Sequence, residues 1–138
     1  MSSIKLNVTP MGAPRMVQSD SWRKRPVVQR YWAYKDEIVL GCRGRYVQGN
    51  TLFALFIMPM PESWSNKKKL NMFGCVNQSR PDTDNIAKGV LDSLLAEDSN
   101  VHVICAAKVW GTAGEIVLFD DFQEWANNFR MNWMDVVS

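Results

Sequence analysis

The 138-residue chain predicts an α+β fold, a small mixed β-sheet with helices packed on it. Three observations lead there. Residues 51–60 (TLFALFIMPM) are a continuous apolar run of strand length, bounded by Gly49-Asn50 before and by Pro59 and Pro61 at the end, which suits a central strand. Ile86, Val90, Leu91, Leu94 and Leu95 fall on one stripe of a helix over 84–96. Residues 101–110 and 115–119 read as two strands joined by the turn residues GTAG, a hairpin by their closeness in sequence.

The other elements follow in chain order. Residues 4–8 (IKLNV) alternate apolar and polar, the period of a half-buried strand, and TPMGAP then reads as a turn. Residues 15–30 are basic and irregular, and Pro26 argues against a helix running through them. The spacing of Tyr31, Tyr34 and Ile38 predicts a helix over 27–40, ended by Gly41 or Gly44. Residues 62–71 read as a short helix or an exposed loop carrying Lys67, Lys68 and Lys69. The tail, 121–134, places Phe122, Trp125, Phe129 and Trp133 on one face of a last helix.

A chain of this length is the size of one domain and can bury a core without staples. Its 46% hydrophobic and 22% charged residues lie far from the composition of disordered segments. Cys42, Cys75 and Cys105 are widely spaced and odd in number, with only His102 to join them, which excludes a disulfide framework and a structural zinc site and predicts free thiols in a reducing cytoplasm. His102 falls in a predicted strand and reads as structural. No run approaches the roughly 20 apolar residues needed to span a bilayer, and MSSIKLNVTP lacks the regions of a signal peptide, so a soluble cytoplasmic protein is expected.

The net charge of +2 conceals a division. Residues 1–80 hold 13 of the 16 Lys and Arg against four acids, a balance of +9, and residues 81–138 hold three bases against ten acids, a balance of −7. Such asymmetry points to a surface for a polyanion beside an acidic pocket. Arg15, Arg23, Lys24, Arg25 and Arg30, interleaved with Trp22, together with Lys67, Lys68, Lys69 and Arg80, are the candidate phosphate contacts. A set of solvated charges would look the same residue by residue. Trp110 and Trp125 are expected in the core.

The acidic half centres on RPDTDNIAKGVLDSLLAEDSNV, residues 80–101. Asp82 and Asp84 are two apart, so in an extended segment their carboxylates face one side. Two like charges held together favour a cation between them, and an all-oxygen site selects a hard ion such as Mg²⁺ or Mn²⁺. The bland alternative is a Thr83 or Asp84 cap on the following helix. Lys88 and Asp92 continue at four-residue steps along one helix face. Asp92 suits a solvated ion-pair ladder, whereas Lys88 stands one turn above the acids, where an ammonium can neutralise a phosphate oxygen. Glu97 and Asp98 lie between the helix and the next strand, and a short connection would return Asp98 to the same pocket.

This stretch, with Lys108 on the next strand, resembles the RusA family of Holliday-junction resolvases, many of them carried by phages and prophages. Asp82, Asp84, Asn85, Lys88, Asp92, Glu97-Asp98, Val101 and Lys108 follow the family pattern in order, and PMGAPRM and RYWAYKDE are similar to its N-terminal loop and helix. The resemblance spans roughly residues 4–119 and leaves 120–138 as a C-terminal helical extension for packing or dimerisation. It implies a dimeric, Mg²⁺-dependent endonuclease acting on branched DNA, with Mn²⁺ able to substitute, in the cytoplasm of a bacterial or phage-infected cell. By the same resemblance Asp82, Asp84 and Asp98 would hold the metal and Lys88 would be needed for cleavage; the spacing to Val101 favours Asp98 over Glu97. The alternative is a non-catalytic DNA-binding or recombination accessory protein whose acidic motif is only a capped helix.

Overall fold

The computed structural model describes residues 3–15, 17, 25–42, 51–94 and 101–137, the last eight by backbone alone. Its strands are β1 (Ser3–Leu6), β2 (Thr51–Pro59), β3 (Val103–Gly111) and β4 (Glu115–Phe119), and its helices are α1 (Pro26–Cys42), α2 (Asn66–Met72), α3 (Thr83–Leu94) and α4 (Phe122–Val137). The four strands form one mixed sheet in the order β1-β4-β2-β3, so the α+β fold expected from the apolar runs is the one observed.

The continuous apolar character of β2 follows from its position. It pairs parallel with β3 along its whole length, Thr51 opposite Val103 and Pro59 opposite Gly111, and antiparallel with β4 on its other side. Period-two alternation then divides its side chains between two cores. Leu52, Ala54, Phe56 and Met58 join Ile4, Leu6, Ile116 and Leu118 beneath α1 and α3. Phe53 and Leu55 join Ala107, Val109, Val117 and Phe119 on the opposite face, where Trp125 and Phe129 of α4 cover them.

The expected hairpin between the last two strands is not there. β3 and β4 lie on opposite sides of β2, and Thr112, Ala113 and Gly114 carry the chain from one to the other past the end of β2. Interior position explains it: Ile116–Phe119 of β4 are buried on both faces, which an outer strand of a two-stranded ribbon would not allow. β1 then pairs antiparallel with β4 and closes that side.

Two helix boundaries also differ from expectation. α1 starts at Pro26, where proline's fixed φ suits a first turn, and runs through Gly41 to Cys42 instead of stopping at the glycine. Gly41 is used for its missing side chain, because a Cβ there would run into Leu6 of β1. Gly44 lies outside the described residues. α2 resolves the ambiguity at 62–71 in favour of a helix, capped by the Ser65 hydroxyl accepting from the Lys68 amide at 3.1 Å.

Candidate functional site

The site is built on the segment that joins the open edge of β3 to the start of α3. Residues 74–77 run antiparallel beside β3: the Gly74 amide donates to the Trp110 carbonyl at 2.9 Å, the Trp110 amide to Cys75 at 2.9 Å, and the Asn77 amide to Lys108 at 2.8 Å. At Asn77 the strap turns. Its buried side-chain carbonyl accepts from both the amide and the hydroxyl of Ser79, each at 2.7 Å, which folds the chain back over β3. A cis peptide joins Arg80 to Pro81, Asp82 follows, and α3 begins at Thr83 with the Ile86 amide donating to the Asp82 carbonyl at 3.0 Å.

The N-terminal loop forms the opposite wall. Asn85 donates through Nδ2 to the Ala13 carbonyl at 3.1 Å. Gly12 sits so close that a Cβ would stand 2.9 Å from Asn85 Nδ2 and 3.0 Å from the Pro81 Cβ, so only glycine lets the loop approach. Arg25 reaches the Arg15 carbonyl at 3.0 Å and ties the far end of this loop to the start of α1. Between these walls Gly12, Arg80, Pro81, Asp82 and Asn85 line an open cleft of about 440 Å³. Asp82 is exposed in it, and no side-chain hydrogen bond engages its carboxylate among the described residues.

The acidic residues do not lie on an extended segment as expected. Asp82 precedes the helix, whereas Asp84 is in its first turn and accepts the Asn85 amide through Oδ1 at 2.9 Å. Asp84 is exposed and outside the cleft lining, in the first turn of α3, where a negative charge is favourable to the helix dipole. Lys88 is exposed one turn further, with Nζ 4.0 Å from Asp92, the ladder contact expected; Asp92 also accepts the Tyr31 hydroxyl at 3.5 Å. Burial first, and then Asp92, push the Tyr31 hydroxyl up to about 12. Among the described residues no three His, Cys, Asp or Glu stand together. Glu97 and Asp98 lie outside the described residues, as do Trp22, Arg23 and Lys24.

Of the candidate phosphate contacts, Arg80 is on the cleft, and Arg15 is exposed beside the loop that walls it. Arg30, Lys67 and Lys68 are exposed, and Lys69 is half-buried. Lys68 lies 4.3 Å above the Trp64 ring, which in turn packs on Trp110 with centroids 4.8 Å apart. Trp110 and Trp125 are both partly buried against the cores, as expected. His102 is exposed and one residue short of β3, so it lies neither in the strand nor in the core. Cys42, Cys75 and Cys105 form no disulfide among the described residues. No described helix is long and apolar enough to cross a membrane.

Sequence patterning did not assign a role to Lys108. It is three residues short of the end of β3, and by alternation it shares the α1 and α3 face with Ala106 and Trp110. It is 5% exposed, and its ammonium donates to the carbonyls of Ser79 and, at 2.6 Å, Pro81. Desolvation lowers its pKa, opposed by the charge of Asp82. The available signal was a lysine where the strand's inward face calls for an apolar residue.

The small α+β sheet thus carries an open cleft lined by a carboxylate, a guanidinium and an amide, with Gly12 and Pro81 between them. In comparison with protein families, residues 7–118 match the model of endodeoxyribonuclease RusA, which is most of the chain. The chain belongs to the RusA family of Holliday-junction-resolving endonucleases. The match begins within the loop after β1 and ends at Leu118, so α4 lies beyond it. Comparisons with curated proteins and with solved structures found no match.

Proposed function

We propose that this protein is a Mg²⁺-dependent endodeoxyribonuclease that cuts four-way DNA junctions by paired nicks during recombination and repair. The observation that carries the reading is the Asp82 carboxylate, exposed in an open cleft at the start of α3 with no side-chain hydrogen bond, in a chain of this family. The donor chemistry suits a hard divalent ion, since the Asp82 carboxylate offers oxygen in a cleft open to the water that Mg²⁺ retains, with Asp84 two residues on. Asp82 and Asp84 would hold it with Asp98 as third ligand. When bound, the ion would supply an activated water and neutralise charge on the scissile phosphate.

The remaining roles belong to the chain itself. Lys88 offers an exposed ammonium whose contact with Asp92, at 4.0 Å and open to solvent, is weak enough for a phosphate to displace. Arg80 on the cleft and Arg15 beside it would hold the flanking backbone, with Arg23, Lys24, Arg25, Arg30 and Lys67–Lys69 as further candidate phosphate contacts. Arg25 also keeps the loop in place through the Arg15 carbonyl. Paired nicks in a near-symmetric junction call for two copies of this site, so the active form is a twofold homodimer.

Cleavage of a synthetic four-way junction in Mg²⁺, absent in EDTA, is the expected result; binding without cleavage in either condition would leave an accessory DNA-binding protein in its place. Light scattering at micromolar concentration should give about twice the 15.8 kDa chain mass. Junction affinity should fall steeply with salt, because each Lys or Arg contact displaces counterions.

A further inference from the structure

We infer that Lys108 is the positioning residue of this site: its buried ammonium sets the turn from Ser79 to Pro81 and thereby fixes where the Asp82 carboxylate stands. A lysine at 5% exposure on the apolar face of a sheet carries a large desolvation cost that packing alone does not demand. The location makes the cost greater, since the ammonium lies beneath the N-terminal end of α3, where the helix dipole also disfavours a cation. Three groups offset it, and all three belong to one segment. The carbonyls of Ser79 and Pro81 accept its hydrogen bonds, and Asp82 supplies the opposing charge.

The same segment is held at its other end by β3, through the Asn77 amide on the Lys108 carbonyl. One residue therefore grips the strap twice, by its backbone before the turn and by its side chain after it. Asn77 folds the stretch between the two grips through its side-chain bonds to Ser79. The peptide units that Lys108 holds lead directly into Asp82, whose own side chain has no hydrogen bond among the described residues to orient it. Removing the ammonium should leave the sheet intact and the carboxylate free to wander.

This rests on Asp82 being a metal ligand, and the experiment tells the failure of one idea from the failure of the other. The test is Mn²⁺ affinity by calorimetry on the metal-free protein, with junction cleavage measured in parallel, well below the melting temperature. Lys108→Met keeps the stem and deletes the ammonium. It should lose about 10- to 100-fold in Mn²⁺ affinity, the size usual for removing a partner that orients a ligand, and a similar factor in cleavage, while junction binding without metal stays near wild type. In an Asp82→Asn background the same change should add little further loss of Mn²⁺ affinity, since Lys108 acts through Asp82.

Lys108→Gln retains an amide donor for one carbonyl and should lose less. It carries the test if Lys108→Met does not fold. A folded variant of either kind with wild-type Mn²⁺ affinity and cleavage overturns the inference, as does a lowered melting temperature with both functions intact, which is the mark of a purely structural lysine. If the wild-type protein itself binds no Mn²⁺, the metal-site reading fails and this inference with it.

Discussion

The two faces of the sheet are packed by different rules. Beneath α4 lies an apolar cluster, Phe53, Leu55, Ala107, Val109, Val117 and Phe119, covered by Trp125 and Phe129. Among the described residues it is anchored by a neutral bond, the Trp125 indole donating to the Ala54 carbonyl at 2.7 Å. The face beneath α1 and α3 is larger, yet it accepts a buried ammonium at Lys108 and two deeply placed tyrosines. Burying charge costs more than burying methyl groups, so the expensive face is the one that has something to position. Changes on the α4 face should therefore move stability and leave chemistry alone, and changes at the α3 terminus should do the reverse.

The largest effect is expected at that terminus. Asp84→Asn preserves size and removes charge, and cleavage should fall by about 10⁴-fold, more than 5 kcal/mol in the barrier, with junction binding kept or tightened as repulsion of the phosphates is relieved. Lys88→Ala should lose about 10³-fold without losing metal affinity. Circular dichroism should show both folded, because both side chains are exposed. Deep in the α1 and α3 face, Phe56 is fully buried and Phe56→Ala should cost about 4 kcal/mol, read as a shifted denaturation midpoint.

On the opposite face Trp125→Phe deletes the bond to Ala54 and keeps most of the ring. The loss should be about 1 kcal/mol, and cleavage per folded molecule should not change. If that variant lost cleavage in proportion to nothing in its stability, the division between the faces would fail. The smallest effect at neutral pH concerns the tyrosines. Burial raises both Tyr31 and Tyr34 from 10.0 to about 12. The phenols stay neutral in the fold after they would ionise in the unfolded chain, so their contribution is complete below pH 10 and is lost as pH rises toward about 12. Denaturant titrations from pH 8 to 12 should show that loss, and Tyr34→Phe should reduce it.

How much was legible in the sequence follows the same division. The β2 run, the stripe of Ile86, Val90 and Leu91, and the aromatic face of α4 carry local periodicity, and each became the element it predicted. Pairing is not local. The short GTAG link made a hairpin the natural expectation, yet β2 needs a neighbour on each side, and the unbroken apolar run of Ile116–Phe119 marked an interior strand more reliably than the link marked a turn. The Asp82 and Asp84 motif was visible as chemistry, while its geometry was not, since the helix starts between them. Lys108 showed as a member of the family pattern and as a charge among apolar neighbours but without a role, because its partners, the carbonyls of Ser79 and Pro81, lie 29 and 27 residues away along the chain.

The most direct test sets two carboxylates of one segment against each other. Asp82 stands in the cleft and Asp92 is half-buried on α3 between Lys88 and Tyr31, and the same substitution can be made at both. With a synthetic four-way junction and Mg²⁺, Asp82→Asn should abolish cleavage by a factor of about 10³ or more while still binding the junction, and Asp92→Asn should cut within about threefold of wild type, because Asp92 lies outside the cleft lining. Folded Asp82→Asn protein cutting at the wild-type rate would contradict the account, and the acidic start of α3 would then be a stabilised helix end and nothing more.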